Sequence, residues 1–240
     1  MLFSPKEHCG ISSTVLKWLA LVFMTLDHVG VFLFPQYTVF RALGRLAFPL
    51  FAFTVGESLR HTRHPLRYFL CLAVPGVLMQ VIYFAALHSL DGNIFITFAI
   101  SAVNVFLVKW AQKPRRAWLW AVLALALVLE VFVCYDLRVL LGTPRAQLIM
   151  YEFPGILLPM AVALLPNKHS RFAGFALLLG GMCLVEQSVY RDFGQWFCMA
   201  ALLPIAFYSG DRGKYSCRWF FYIYYPAHLV AIYGISLLVR

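Results

Sequence analysis

Residues Val15–Phe34 read V-L-K-W-L-A-L-V-F-M-T-L-D-H-V-G-V-F-L-F. This apolar run is 20 residues long, which is the length that an α-helix needs to cross the hydrocarbon core of a bilayer. It is longer than the apolar region of a typical cleavable signal peptide, and no small-x-small cleavage site follows it. The run therefore predicts a first membrane-spanning helix.

The remainder of the chain has the same apolar character. Of its 240 residues, 62% are hydrophobic and 12% are charged, whereas a soluble domain is about half apolar and about a quarter charged. This composition excludes the soluble globular, disordered, fibrous and coiled-coil classes. The apolar runs lie at residues 13–34, 42–59, 67–88, 93–111, 117–141, 148–166, 171–189, 194–209 and 219–239. We predict an all-α, polytopic transmembrane helix bundle of about nine spanning helices, forming a single domain over residues 1–240.

The basic residues predict the orientation of the bundle. The net charge is +10, from 20 Lys and Arg against 10 Asp and Glu, and a cytoplasmic amino terminus satisfies the positive-inside rule. The 14 basic residues on cytoplasmic flanks are then Lys6, Lys17, Arg60, Arg63, Arg67, Lys109, Lys113, Arg115, Arg116, Lys168, Arg171, Arg212, Lys214 and Arg218. The six on outer flanks are Arg41, Arg45, Arg138, Arg145, Arg191 and Arg240. Membrane lipids are the expected partner and nucleic acid is not, because no nucleic-acid-binding motif stands outside the apolar runs.

Ionisable residues inside the apolar runs are the main functional signal, because a charge near the bilayer centre is costly and normally faces a bundle interior or a water-filled cavity. Asp27 and His28 stand in the first helix, and His28 lies about 16 Å of helix rise beyond Lys17. An imidazole at this depth suits a general base. The alternative is a buried polar pair that only locks helices together.

The last helix carries a second histidine at a similar depth. Tyr224 and His228 are four residues apart, so they share one face of that helix. Histidines from the first and last helices at one depth predict a shared cavity. A core histidine with satisfied hydrogen bonds is the alternative interpretation.

Two arginines open the second run. Arg41 and Arg45 share a helix face, so one is expected to pair with Asp27 and the other to meet a substrate carboxylate, phosphate or developing oxyanion. Snorkelling to lipid headgroups is the alternative. Asn93 opens the fourth helix, where it is expected to cap the helix or to donate to a reacting carbonyl.

The remaining polar residues allow weaker predictions. Arg60, Arg63 and Arg67 are typical of a positive-inside loop, and a second use would be to hold the phosphates of a cytosolic nucleotide-like cofactor. Glu57 and His61 are expected to form a local salt bridge. The sequence indicates no partner for the buried carboxylates of Glu130 and Glu186. The six cysteines form no C-x-x-C pair, so we predict neither a metal site nor a disulfide framework.

Four segments carry a resemblance to a known family: L-K-W-L-A-L-V-F-M-T-L-D-H at 16–28, G-R-L-A-F-P-L-F-A-F at 44–53, G-N-I-F-I-T-F-A at 92–99 and Y-Y-P-A-H-L at 224–229. They resemble the TraX family, whose namesake is a conjugation-encoded membrane protein that N-acetylates F-type pilin. The resemblance runs from about residue 14 to 235. The family is similar to a broader set of integral-membrane acyltransferases, which move acetyl groups from cytosolic acetyl-CoA to acceptors across the membrane.

The resemblance implies a multi-pass acetyltransferase of the bacterial inner membrane, with acetyl-CoA as co-substrate, no metal, and a pilin, glycan or lipid as acceptor. The residues that match the family motifs, and are therefore expected to be catalytic, are Asp27, His28, Arg45, Asn93 and His228. Arg41, Tyr224, Arg60, Arg63 and Arg67 are expected to bind substrate or cofactor. At 151–156 the chain has Y-E-F-P-G-I where a Tyr-Gly-x-x-Gly-like stretch is expected, and this departure leaves the acceptor open.

Two other classes of function remain as alternatives. One is a small transporter or flippase for an anionic lipid or sugar, in which the arginines clamp the substrate. The other is an assembly subunit without chemistry, which the buried charges disfavour because apolar residues span a membrane at lower cost.

Overall fold

A computed structural model describes residues 10–143, 146–213 and 218–239. The α-helices are α1 (Ser13–Phe32), α2 (Thr38–Gly44), α3 (Ala47–His61), α4 (Pro65–Leu87), α5 (Ile94–Ala111), α6 (Leu119–Val131), α7 (Arg138–Leu140), α8 (Glu152–Leu164), α9 (Lys168–Val185), α10 (Leu202–Ala206) and α11 (Arg218–Val239). Two π-helical segments (Phe132–Leu137 and Glu186–Tyr190) and a 3₁₀ helix (Phe193–Ala201) join some of them. Lys6, Arg145, Lys214 and Arg240, named above, lie outside the described residues, as do Cys9 and Cys217 of the six cysteines.

The helices confirm the all-α membrane class. Six are long and apolar enough to cross a membrane: Ser13–Phe32, Thr38–His61, Pro65–Ala85, Ile94–Ala111, Leu119–Leu140 and Lys168–Tyr190. Three shorter apolar helices are Glu152–Leu164, Phe193–Ala206 and Ile223–Leu238. Each of the nine predicted apolar runs overlaps one of these segments. The number of crossings and the side on which the amino terminus lies stay predictions.

The chain alternates between two ends of the bundle. The connections at residues 33–37 and 88–93 share one end with the described residues 141–143 and 146–151, and we call this the site end. The connections at 62–64, 112–118 and 165–167 share the opposite end. The centre is formed by α3, α5 and α8, which pack against one another, whereas α4 and α6 are largely exposed and apolar all round, as lipid-facing helices are.

The second span is broken between α2 and α3. Pro49 has no N–H to donate to the carbonyl of Arg45 four residues earlier, so the helical hydrogen-bond ladder is interrupted at this point. Residues 45 and 46 form a turn in which the Leu46 N–H donates to Leu43 O at 3.1 Å. The break places Arg45 at a corner of the span, so its side chain can leave the helix face that Arg41 occupies.

The interior carboxylates have partners that the sequence did not indicate. Asn104 Nδ2 donates to Glu130 Oε1 at 2.9 Å, and Gln147 Nε2 donates to Glu186 Oε1 at 2.8 Å. Glu57, predicted to pair with His61, lies 3.7 Å from its Nε2. It also pairs with Arg171 from α9, which is brought near by helix packing.

A buried ion pair joins the site end of three spans. Arg138 Nη1 donates to Glu152 Oε1 at 2.7 Å, and the Tyr190 hydroxyl bonds with both side chains. Arg138 and Glu152 are 6% and 1% exposed. Removing one partner of such a pair typically costs 3–5 kcal/mol because the other charge is left uncompensated. The pair therefore fixes the start of α8 against its neighbours.

Candidate functional site

A cavity of about 80 Å³ lies among the site-end halves of the central helices. Its polar lining consists of Asp27, His28, Tyr83, Tyr151 and Tyr225. The remainder of its wall is Met24, Gly44, Ala47, Phe48, Phe51, Gly92, Ile94 and Met150. A buried water molecule needs about 10–15 Å³ of cavity volume. The cavity therefore has room for roughly six non-hydrogen atoms, each about the size of a water molecule. It is thus large enough for the reacting atoms of two small groups.

His28 and His228 meet beside this cavity, as their depths predicted. His228 Nδ1 lies 2.8 Å from the carbonyl of Tyr224, and His228 Nε2 lies 3.0 Å from His28 Nδ1. His28 Nδ1 also lies 2.9 Å from Met24 O. One assignment of hydrogens satisfies all three contacts: His228 donates from Nδ1 and accepts at Nε2, and His28 donates from Nδ1. The Nε2 atom of His28 then carries a lone pair that no described residue engages.

Tyr224 packs against the histidine pair and is not part of the cavity wall. Its ring stacks on His228 with centroids 5.0 Å apart and planes 6° apart, and its hydroxyl lies 2.9 Å from Thr25 Oγ1. The neighbouring Tyr225 lines the cavity instead. The sequence predicted substrate binding at Tyr224, which shares a helix face with His228, and did not indicate Tyr225.

Asp27 is held by Arg41, which is one of the two alternatives that the sequence left open. Arg41 Nη1 lies 2.7 Å from both carboxylate oxygens of Asp27. The contact depends on the close approach of α1 and α2 at Gly44, where an added Cβ would lie 2.2 Å from Asp27 Oδ1. A residue without a side chain is therefore required next to Asp27.

The second arginine is also paired, which corrects the prediction that it is left free for a substrate. Arg45 donates to Asp192, the residue that caps the 3₁₀ helix by accepting from the Gly194 N–H at 2.9 Å. Asp27 and Glu186 add weaker electrostatic attraction to the same guanidinium. Sequence reasoning missed Asp192, whose local signal is that of a helix cap and whose partner is 147 residues away.

Asn93 occupies a structural position. Its Oδ1 accepts from the backbone N–H groups of Phe95 and Ile96, which makes it the cap of α5. Its Nδ2 donates to Gly76 O at 2.8 Å and to Gln80 Oε1 at 3.2 Å. Both amide hydrogens are engaged, so Asn93 presents no free donor to a reacting carbonyl.

Tyr151 is a cavity residue that the sequence did not single out. Its ring stacks on Phe48 with centroids 3.8 Å apart, and its hydroxyl interacts electrostatically with Arg45. A phenol hydroxyl is protonated at neutral pH, so Tyr151 can donate a hydrogen bond. Tyr151 and Glu152 both have left-handed backbones, with φ of 60° and 51°, and such residues cost of order 1–3 kcal/mol each.

Comparison with known proteins identifies the family of this chain. The TraX protein family matches residues 12–236. The chain belongs to the TraX family. It is 24% identical over 252 residues to a probable fimbrial assembly protein FimC, serogroup H1, of Dichelobacter nodosus, covering 94% of this chain and 96% of that protein. It is 48% identical over 44 residues to the uncharacterized protein RP591 of Rickettsia prowazekii, but that match spans 18% of each chain. No solved structure matches.

In this TraX-family chain the predicted residues fall into two groups. Asp27, His28, Arg41, Arg45 and His228 gather at the cavity. The predicted cofactor-binding residues do not: Arg60, Arg63 and Arg67 lie on and beside the α3–α4 connection at the opposite end. About 18 Å of helix rise separates the cavity wall at residue 48 from residue 60.

Proposed function

We propose that the chain is an acetyltransferase of the bacterial inner membrane, which transfers an acetyl group from cytosolic acetyl-CoA to an acceptor amine or hydroxyl at the site end. The observation that carries this proposal is the hydrogen bond between His228 Nε2 and His28 Nδ1 beside the cavity. This bond fixes His28 in the tautomer whose Nε2 is free to accept a proton.

The proposed reaction needs a single base. His28 Nε2 takes a proton from the acceptor as its nitrogen or oxygen attacks the carbonyl carbon of the acetyl thioester. The tetrahedral intermediate then breaks its C–S bond, and His28 returns the proton to the departing sulfur of coenzyme A. The imidazolium that forms in between is stabilised by His228 Nε2 and Met24 O, which both accept from His28 Nδ1.

The arginine pairing favours an enzyme over an anion transporter. A transporter that clamps an anionic lipid or sugar needs a guanidinium available to that substrate. Arg41 and Arg45 are already matched by Asp27 and Asp192. Their role in the proposed enzyme is to set the shape and electrostatic field of the cavity.

A pilin subunit is the acceptor that family membership favours. The relative from Dichelobacter nodosus is described as a probable fimbrial assembly protein, and its match extends over nearly the whole chain. A pilin presents an α-amino group, which is a suitable nucleophile for a thioester once it is deprotonated.

The test is acetyl-CoA turnover by the detergent-purified protein. Release of the coenzyme A thiol is measured with a synthetic peptide that has a free α-amino group, beside the same peptide with a blocked amine. We expect thiol release and labelling of the free peptide, and background release with the blocked one. Failure of a well-folded protein to bind acetyl-CoA would overturn the proposal and favour the transporter alternative.

The basic loop gives a separate prediction. Replacing Arg60, Arg63 and Arg67 together with Ala is expected to raise KM for acetyl-CoA about tenfold or more, because charge-assisted hydrogen bonds are worth about 1.5–3 kcal/mol each. Turnover of a short acetyl thioester that lacks the nucleotide should not change. The control replaces Arg115 and Arg116, exposed in the next connection at the same end, with Ala. Equal KM values for the two variants would remove the phosphate-binding role from the first loop.

A further inference from the structure

We infer that Tyr151 is a catalytic residue that donates a hydrogen bond to the developing oxyanion of the acetyl group. The inference rests on the proposed function and names a residue that the family motifs do not supply for this role. Negative charge accumulates on the carbonyl oxygen as the nucleophile attacks, and a preorganised donor in a dry site stabilises it. Asn93, expected to act there, has both amide hydrogens engaged.

The first observation is that the Tyr151 hydroxyl is available. Tyr151 lines the same cavity as His28, and its hydroxyl has no hydrogen-bond partner among the described residues. A phenol in a cavity normally finds a partner, so a free donor that lines the same cavity as a free imidazole nitrogen marks a place where a ligand atom belongs. Arg45 adds a positive charge close to the same hydroxyl.

The second observation is that the Tyr151 ring is held rigidly. One face stacks on Phe48 at 3.8 Å between centroids, and the Tyr151 N–H donates to Gln147 Oε1 at 3.4 Å. On the helix side, an added Cβ at Gly155 would lie 2.7 Å from Tyr151 Cβ, so a glycine allows the tyrosine its position. A donor fixed in this way needs no reorganisation during the reaction.

The third observation is that the backbone at Tyr151 is strained and anchored. Tyr151 and Glu152 are consecutive non-glycine residues with left-handed φ. Glu152 is retained in this conformation by its buried ion pair with Arg138. Backbone strain that is held in place by several surrounding contacts is typical of functional sites.

The test is the kinetics of Tyr151→Phe, which keeps the stacked ring and removes the hydroxyl. We expect kcat for acetyl transfer to fall about a hundredfold, the usual effect of losing one oxyanion donor, with KM for acetyl-CoA unchanged. The matched control is Tyr37→Phe, the same chemical change at an exposed residue of the site end that does not line the cavity. Thermal unfolding of both variants should match the wild type.

The outcomes separate this inference from the proposed function. If the wild type turns over acetyl-CoA and Tyr151→Phe stays within threefold of Tyr37→Phe, the oxyanion role is wrong and the acetyltransferase stands. A rise in KM and a fall in kcat together with a lowered Tm would show a structural role and also overturn the inference. Absence of acetyl turnover in folded wild-type protein overturns both.

Discussion

His28→Gln is expected to lower kcat for acetyl transfer by about a hundredfold or more while the protein folds normally. Glutamine keeps a polar side chain of similar reach but has no basic nitrogen, and positioned general bases contribute roughly 10²- to 10⁴-fold. His28 is the expected base because His228 and Met24 O hold its Nδ1 hydrogen and leave Nε2 free. The measurement is thiol release from acetyl-CoA with a free-amine peptide, in detergent, beside the wild type.

The control for this variant is His169→Gln, the same substitution at an exposed residue in the first turn of α9. It should retain wild-type turnover. Thermal unfolding of both variants checks that the His28 effect is chemical. If His28→Gln is folded and transfers acetyl groups at the wild-type rate, His28 is not the base, and the hydrogen-bonded histidines serve only to join α1 to α11.

Gly44→Ala is expected to abolish activity by a different route. The new Cβ would lie 2.2 Å from Asp27 Oδ1 and 2.3 Å from Asp27 Cβ. The Asp27 Cβ is bonded directly to the backbone of α1, so no rotamer of Asp27 moves it away from the new methyl group. The two helices α1 and α2 must therefore move apart. That movement breaks the Asp27–Arg41 pair and displaces His28, the next residue. Overpacking of this kind costs about 1–3 kcal/mol, so a fall in Tm should accompany the loss of turnover.

Gly180→Ala is the matched control, because nothing lies within 4 Å of the position of its added Cβ. Alanine is favoured over glycine inside a helix by about 1 kcal/mol, so this variant should be as stable as the wild type or more so. Thermal unfolding and acetyl turnover are compared for the two variants. Equal Tm and activity in both would contradict the close approach of α2 to Asp27.

The fold was predictable because hydrophobicity is a property of single residues summed along the chain. Nine apolar runs correspond to nine helical segments, and the depth of His28 and His228 followed from counting helix rise from the basic ends. The Asp27–Arg41 pair was also predictable from the sequence, since a short connection keeps α1 and α2 adjacent.

The partners of the other polar residues were not predictable, because they are contacts between residues far apart in the sequence. Arg45 and Asp192 are 147 positions apart, and their contact depends on the break in the second span and on the packing of the 3₁₀ helix. Tyr151 was missed because its significance lies in backbone angles and in a ring stack with Phe48. The position of Asn93 at a helix start was compatible with a helix cap and with a donor to a reacting carbonyl. In the structure Asn93 is the cap.

The central helix α8 is shorter than the hydrocarbon core of a bilayer is thick. Its 13 residues rise about 20 Å, against a hydrocarbon thickness of about 30 Å, and it lies among the central helices rather than against lipid. The 13-residue α8 therefore covers less of that thickness than the 23-residue α4 at the lipid-facing rim. Under the proposed function, the neutral thioester end of the donor has to enter the region around this short helix. The charged phosphates of the donor stay on the side from which they came, so the electrical potential across the membrane does no work on the transfer.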